Sequence, residues 1–217
     1  MPSLRWQLYV IIDRPTAGGR DLTEVTAAVI RGGADVIQLR DKAASARRLI
    51  EEGRRLLTLT RAADIPLIIN DRPDVARAIG ADGVHLGQDD LPLADARALL
   101  GPGRLIGRST HSLEQATAAE AEGADYVGVG PIFPTPTKPD YGSVGIDLIT
   151  RVAQRIRIPF ACIGGIDAGN MGQVLEAGAR CVAVVRAVCS APDPESAARA
   201  LKDRLIQSSR PLKAQKL

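Results

Sequence analysis

The sequence predicts a single (β/α)8 barrel, the TIM barrel of the α/β class. Eight short runs rich in apolar and β-branched residues recur along the 217-residue chain, and segments of helical periodicity separate them. Runs without strict polar alternation are typical of parallel strands that are buried on both faces. Strict alternation of strands with helices is typical of α/β domains with right-handed crossovers. Eight nearly equal units leave no obvious edge strand, so a closed barrel is favoured over an open doubly wound sheet.

The predicted strands follow the apolar runs in chain order. They span residues 7–13, 36–40, 66–70, 83–87, 104–109, 126–132, 159–165 and 181–188. Between them, segments such as 44–61 and 112–123 are rich in Ala, Leu, Glu and Arg. A Gly-Ala pair precedes each even-numbered strand, at 33–34, 80–81, 123–124 and 178–179. We expect these glycines to end the preceding helices in the left-handed conformation, which marks a unit of two strand–helix pairs.

Length and composition predict one catalytic domain over residues 1–208, because no linker divides the chain. Residues 209–217 are predicted to be a frayed basic tail. A net charge of +3 and an aromatic content of 3% argue against a nucleic-acid-binding protein. The three cysteines lie in apolar runs without a CxxC pair, so we interpret them as core residues in a reducing compartment.

The chain has no signal-peptide pattern, and no run reaches the roughly 18 apolar residues that a membrane span requires. The sequence therefore predicts a cytoplasmic protein without a membrane partner. Its oligomeric state stays open, and a homo-oligomer is compatible with the sequence.

The active site is expected at the carboxyl ends of the strands, where barrels of this type carry their chemistry. Gln38, Arg40 and Lys42 stand two residues apart at the end of the second predicted strand. This spacing places side chains on one face of a strand. We interpret them as hydrogen-bond donors that point into the barrel mouth, and a solvated strand end is the alternative.

Two aspartates on neighbouring loops predict a site for a hard cation. Asp71 follows Asn70 after the third predicted strand, and Asp90 lies near Gln88 after the fourth. Each aspartate stands two residues before a proline, so either one alone could instead belong to a turn or begin a helix. A pair with oxygen ligands and no soft donor suits Mg²⁺ better than zinc.

A long loop and a glycine pair predict further phosphate contacts. Residues 131–145 contain four prolines and Lys138, and loops of this length are usually functional. We interpret the loop as a lid that delivers Lys138 to a defined place. Gly164 and Gly165 end the seventh predicted strand, a place where barrels bind phosphate through backbone N–H groups. With the donors of the second strand and the two aspartates, these features describe a pyrophosphate site and a second, single-phosphate site.

The sequence contains no evident nucleophile and no Ser–His–Asp arrangement. His85 and His111 are the only histidines, and we interpret both as structural because neither has an evident partner in the sequence. Departure of a pyrophosphate, assisted by a metal and by cationic side chains, fits the residues better. The sequence therefore predicts two phosphorylated small-molecule substrates.

Seven motifs, in order along the chain, resemble the thiamine-phosphate synthase family. They are QLRDK, ND, HLGQDD, GRSTHS, PIFPTPTK, IGGI and VVRAV, and the resemblance runs from Tyr9 to about Ala198. It implies a magnesium-dependent transferase of thiamine biosynthesis. Such an enzyme condenses 4-amino-2-methyl-5-hydroxymethylpyrimidine diphosphate with 4-methyl-5-(2-phosphoethyl)thiazole. The products are thiamine phosphate and pyrophosphate.

The resemblance also implies a role for individual residues. Magnesium would be held by Asp71 and Asp90. The catalytic residues would be Arg40, Lys42, Ser109 and Lys138. The pyrimidine diphosphate would contact Gln38, Leu39, Arg40, Asp41, Lys42, Asn70, Ser109 and Lys138. The thiazole phosphate would contact Thr135, Pro136, Thr137, Gly165, Val185 and Arg186.

Other functions stay open on the sequence. A thiazole tautomerase of the same superfamily would use a histidine at the place of His111, but such relatives lack the Asp71 and Asp90 pair. A non-catalytic phosphate-binding regulator would have no reason to keep those aspartates together with Lys138. A phosphosugar isomerase or epimerase is open on fold alone, since fold does not determine function.

Overall fold

The strands of the barrel lie close to their predicted positions. The computed structural model describes residues 5–135 and 142–208. The strands are β1 (Leu8–Asp13), β2 (Val36–Arg40), β3 (Leu67–Asn70), β4 (Gly83–Leu86), β5 (Leu105–Thr110), β6 (Tyr126–Val129), β7 (Phe160–Ile163) and β8 (Val182–Val184). Each strand pairs in parallel with its neighbours in the sequence, and β1 pairs with β8 to close the barrel. The predicted (β/α)8 barrel is confirmed.

Helices follow the strands along the described chain. They are α1 (Leu22–Arg31), α2 (Ala46–Ala62), α3 (Pro73–Ile79), α4 (Leu93–Leu100), α5 (Leu113–Ala121), α6 (Asp147–Arg155), α7 (Met171–Glu176), α8 (Arg186–Cys189) and α9 (Pro194–Ser208). The side chains of Asp21, Ser45 and Ser112 accept backbone hydrogen bonds at the starts of α1, α2 and α5. These caps satisfy N–H groups that lack a partner within the helix.

Two apolar layers lie on opposite faces of the strands. On β1 and β2, Val10, Ile12, Ile37 and Leu39 face the helices and belong to the larger layer. The barrel interior is a smaller layer that consists of Tyr9, Ile11, Val36, Ile68, Tyr126, Ala161, Cys181 and Ala183. Since side chains alternate along a strand, Gln38 follows Val36 on the interior face.

The glycines that precede the even-numbered strands have the predicted left-handed backbone. Their φ angles are 95°, 71°, 89° and 110° at Gly33, Gly80, Gly123 and Gly178, respectively. Glycine adopts these angles at little steric cost, so each helix can end and the chain can turn back into the barrel.

The last predicted strand is wrong beyond Val184. Residues 181–188 were expected to form one strand, but β8 ends at Val184 and the chain continues into α8. Val185, with φ −119° and ψ −80°, leaves the extended conformation. Val188 and Cys189 of this segment are nevertheless buried, and the Cys189 thiol lies 3.2 Å from the carbonyl oxygen of Ile11.

The cysteines are core residues, as predicted. All three are buried and free, and burial raises the pKa of the Cys189 thiol to about 11. No helix within residues 5–135 and 142–208 is long and apolar enough to cross a membrane. The tail predicted at 209–217 lies outside the described residues.

Candidate active site

A cavity of about 400 Å³ lies at the carboxyl ends of the strands and extends into the barrel. Small residues on the interior face, such as Gly128, Ala161 and Ala183, leave this space open. The cavity brings together eight of the residues expected to bind substrate. They are Gln38, Arg40, Asn70, Ser109, Thr135, Gly165, Val185 and Arg186.

Arg40 enters the cavity from the end of β2 and forms an ion pair with Asp13 at the end of β1. The two residues are register partners in the sheet. The Asp13 side chain is 2% exposed and the Arg40 side chain 16% exposed, so water screens the pair weakly. A guanidinium group carries five N–H donors in one plane. Asp13 therefore fixes the plane of the guanidinium while other N–H groups remain for an anion.

The carboxyl groups of Asp71 and Asp90 lie close enough to each other for Asp90 to raise the pKa of Asp71. Asp71 has a φ of 60°, and its backbone N–H donates to the carbonyl oxygen of His85 at 2.8 Å. The Asp90 carboxylate accepts from the backbone N–H of Gly87 at 2.6 Å. On the other side, the ammonium group of Lys42 lies 3.2 Å from an Asp71 oxygen.

Burial raises the pKa of Asp71 above its ordinary value, and the hydrogen bond and like charge of Asp90 raise it further. The neighbouring Lys42 opposes this rise. The helix-start alternative is wrong for both aspartates, because α3 and α4 are preceded at their N-caps by Arg72 and Pro92. A cation between the two carboxylates would relieve their repulsion, so the pair suits a cation site.

The carboxylate pair fits Mg²⁺ better than a metal that needs a full set of protein ligands. Among residues 5–135 and 142–208, no group of three or more His, Cys, Asp or Glu side chains could hold a metal ion. Magnesium is commonly bound by one or two carboxylates, with phosphate oxygens and water completing the octahedron. Asp71 and Asp90 therefore suit a magnesium ion whose coordination would be completed by oxygens of a bound diphosphate.

The opposite side of the cavity is formed by the loops after β6, β7 and β8. Gly165 has a φ of 63°, and a Cβ atom there would lie 2.7 Å from the carbonyl oxygen of Pro134 and 2.8 Å from the Cβ of Phe133. Glycine thus allows the loop after β7 to pack against the loop after β6. Val185 and the exposed Arg186 complete this side from the end of β8.

Comparison with known proteins identifies the family of this site. Residues 8–188 match the family described as thiamine monophosphate synthase. The chain belongs to the thiamine monophosphate synthase family. A thiamine-phosphate synthase of Roseiflexus castenholzii is 52% identical over 95% of this chain and 91% of its own length. One of Chloroflexus aurantiacus is 50% identical over 91% of both chains.

The fold comparison agrees with the sequence comparison. The solved thiamine phosphate pyrophosphorylase from Pyrococcus furiosus has a TM-score of 0.88 and 37% identity, and the match covers 95% of this chain and 98% of that chain. The resemblance to the thiamine-phosphate synthase family is therefore confirmed along nearly the whole chain.

Several residues expected at the site of a thiamine monophosphate synthase do not line this cavity. Leu39 is fully buried and faces the helices, so its side chain lies away from the cavity. Asp41 is 8% exposed and pairs with the Arg14 guanidinium at 3.2 Å. Lys42 contacts Asp71 beside the cavity. Pro136, Thr137 and Lys138 lie outside the described residues.

Other residues that line the cavity, or contact a residue that does, were not found by sequence reasoning. Asp13 follows the rule that polar residues at strand ends are functional candidates, and applying that rule to the first strand would have found it. Tyr9 and Tyr126 line the cavity but resemble ordinary core residues in the sequence. His85 was interpreted as structural for lack of a partner, yet its ring contacts Tyr126 and Ser109.

Replacement of Arg40 by Ala is expected to lower the free energy of unfolding by roughly 3–5 kcal/mol, because it leaves the buried carboxylate of Asp13 without a counter-ion. Urea denaturation of the substrate-free protein measures the loss. Arg31→Ala is the matched control, since Arg31 is 60% exposed in its pair with Glu195. That change should cost at most about 1 kcal/mol. Equal losses in the two variants would mean that the Asp13 pair has no special importance.

Proposed function

We propose that this chain is a thiamine-phosphate synthase that joins hydroxymethylpyrimidine diphosphate to the thiazole phosphate and releases pyrophosphate. The observation that carries the proposal is a cavity with two different polar sides, each of which suits an anion. One side has Arg40 within the cavity and Lys42, Asp71 and Asp90 beside it. The other side has Thr135, Gly165 and the end of β8. Membership of the thiamine monophosphate synthase family supports this assignment.

The pyrimidine diphosphate occupies the first side in this proposal. Arg40, Lys42 and Lys138 contact the diphosphate, and Asp71 and Asp90 would hold a magnesium ion beside it. The metal, when bound, offsets negative charge that develops on the departing pyrophosphate. Deeper in the barrel, Gln38, Asn70 and Ser109 offer hydrogen bonds to the pyrimidine.

The reaction that suits this site begins with ionisation of the bond between the pyrimidine methylene carbon and the diphosphate oxygen. The electron pair leaves with pyrophosphate, and the amino group of the ring stabilises the resulting methylene cation. The thiazole nitrogen then donates its lone pair to that carbon. No proton is removed in either step, so the site needs no general base. The protein contributes positive charge near the leaving group and a fixed position for the thiazole.

The thiazole phosphate occupies the second side, where Thr135, Pro136, Thr137, Gly165, Val185 and Arg186 contact it. Backbone N–H groups on loops after the last barrel strands are common phosphate ligands in this fold.

Replacement of Gly165 by Val is expected to raise KM for the thiazole phosphate far more than KM for the pyrimidine diphosphate. Valine disfavours a φ of 63°, and its Cβ would collide with the Pro134 carbonyl oxygen and with Phe133. The control is Gly172→Val, because a Cβ at Gly172 would meet nothing within 4 Å. Steady-state kinetics with each substrate varied in turn measures both values. Equal increases for the two substrates would mean that the loop supports the whole site.

The proposed function is tested by giving the purified chain each precursor alone and then both together, with Mg²⁺ or with a chelator. Thiamine phosphate should form only when both precursors and magnesium are present, and mass spectrometry identifies it. A thiazole tautomerase would instead change the thiazole phosphate without any diphosphate substrate. Tautomerisation alone, without thiamine phosphate, would favour that alternative and contradict the proposal.

A further inference from the structure

A chain of hydrogen bonds crosses the barrel interior and ends at Ser109. The amide nitrogen of Gln38 lies 3.1 Å from the Tyr9 hydroxyl, which lies 3.0 Å from the Tyr126 hydroxyl. The Tyr126 hydroxyl lies 3.2 Å from Nδ1 of His85, and Nε2 of His85 lies 2.9 Å from the Ser109 hydroxyl. We name these five residues, Gln38, Tyr9, Tyr126, His85 and Ser109, the interior relay.

The Gln38 amide sets the direction of the interior relay, because an amide nitrogen only donates. Tyr9 accepts that bond and directs its single proton to Tyr126. When Tyr126 in turn donates its proton to Nδ1 of His85, Nδ1 is the acceptor and the ring proton belongs on Nε2. Nε2–H then donates to the Ser109 oxygen. This direction leaves the Ser109 hydroxyl proton for an acceptor in the cavity.

Burial and local shape maintain this arrangement. Tyr9, Gln38 and Tyr126 are each at most 2% exposed. Burial raises the pKa of both tyrosines, so each hydroxyl keeps the proton that it donates. Unpaired polar groups in such a place are costly, which favours one complete set of hydrogen bonds over partial ones.

Two glycines make room for the His85 ring and its contact with Tyr126. A Cβ atom at Gly107 would lie 2.2 Å from the Tyr126 ring and 2.5 Å from Nδ1 of His85. A Cβ atom at Gly128 would lie 3.2 Å from Cε1 of His85. Larger residues at these two positions would therefore displace the ring or the hydroxyl.

We propose that His85 and Tyr126 are positioning residues. Tyr126 holds His85 as the Nε2–H tautomer, and His85 thereby makes Ser109 a hydrogen-bond donor toward the substrate. The contact of Ser109 with substrate rests on the proposed function. The tautomer of His85 does not, because the hydrogen bonds of the relay all lie within the protein. His85 and Tyr126 act through Ser109 and need not touch the reacting atoms.

His111 provides an internal contrast. Its Nδ1 contacts the backbone carbonyl oxygen of Gly130, which can only accept a hydrogen bond. Nδ1 of His111 therefore carries a proton, whereas Nδ1 of His85 does not. The two histidines of this chain are expected to be opposite tautomers when neutral.

The tautomers are measured on the full chain labelled with ¹⁵N-histidine, by long-range ¹H–¹⁵N correlation without substrates. A pH of about 8 lies above the ordinary imidazole pKa of about 6.5. The expected result is Nε2–H for His85 and Nδ1–H for His111, and His111→Gln assigns the two sets of signals by removing one of them. Nδ1–H at His85 would overturn the proposal.

Tyr126→Phe tests whether the relay causes the tautomer. Loss of the hydroxyl should shift the Nδ1 signal of His85 and populate both tautomers, while the His111 signals stay in place. If the His85 signals did not change, Tyr126 would not control the tautomer and the proposal would fail. A thermal unfolding scan checks that the variant is folded before the spectra are compared.

A double-mutant cycle tests whether Tyr126 acts through Ser109. Tyr126→Phe alone should lower kcat/KM for the pyrimidine diphosphate roughly three- to tenfold, the scale of one hydrogen bond. In the Ser109→Ala background it should have no further effect, because the hydroxyl that the relay orients is gone. The same loss in both backgrounds would indicate a merely structural Tyr126 and overturn the proposal. If no thiamine phosphate forms at all, the proposed function fails while the NMR result still decides the relay.

Discussion

Replacement of Asp90 or Asp71 by Asn is expected to nearly abolish turnover at low Mg²⁺, with a loss of roughly 10³-fold in kcat. Each change removes one negative charge from the pair that is proposed to hold the metal. The fold should survive at position 90, because an amide oxygen can still accept the 2.6 Å hydrogen bond from the Gly87 N–H. Steady-state rates across a magnesium titration, together with a thermal unfolding scan, separate lost chemistry from lost structure.

Asp89→Asn is the matched control for this prediction. Asp89 is exposed and adjacent to Asp90 in the sequence, so its replacement changes net charge equally but leaves the carboxylate pair intact. The Asp89→Asn variant should have the same kcat as the unmodified chain. High magnesium should recover part of the activity of the two variants of the pair, since a carboxamide still coordinates weakly. Normal turnover of both at low magnesium would contradict the metal assignment.

Lys138→Ala is expected to lower kcat by roughly 10²–10³-fold, the usual scale for one preorganised group that stabilises developing charge. The prediction rests on the sequence, since Lys138 lies outside the described residues. If Lys138 meets the departing pyrophosphate, its charge matters most as the bond breaks, so kcat and kcat/KM fall together. Substrate affinity should change much less, because Arg40, Lys42 and magnesium still bind the diphosphate.

Lys138→Arg is the conservative control, because it retains the positive charge and should keep most of the turnover. Presteady-state burst experiments distinguish a slower chemical step from slower product release. A Lys138→Ala variant with normal kcat and a large increase in KM would show that the lysine only docks the substrate. The proposed role of the loop at 131–145 would then be wrong.

The barrel could be predicted because its signals are local. Each apolar run marks a strand. The left-handed glycines, such as Gly33 and Gly80, mark the ends of the helices that precede the even-numbered strands. The error after Val184 arose because a short apolar run fits a buried strand and a buried helix equally well. In the structure, residues 186–189 form a helix, and the Cys189 thiol contacts Ile11 of β1, a long-range contact that the sequence does not reveal.

The site could be predicted in part for the same reason. Period-two spacing placed Gln38 and Arg40 on the interior face. Asp71 and Asp90 were predicted to lie close together because each follows the end of one of two neighbouring strands. The Asp13–Arg40 pair requires the register between β1 and β2, which the sequence does not reveal. Likewise, the Tyr9 and Tyr126 hydroxyls meet across the barrel at a separation of 117 residues. No spacing rule reaches such contacts.

The central claim is that one cavity couples departure of a diphosphate to attack by the thiazole. Phosphorus NMR of a single reaction tests it most directly, with the pyrimidine diphosphate, the thiazole phosphate, Mg²⁺ and the purified chain in one tube. The account predicts that pyrophosphate and thiamine phosphate accumulate in equal amounts as both precursors disappear. Pyrophosphate release at the same rate without the thiazole phosphate, or an unchanged diphosphate signal in the complete reaction, would contradict it.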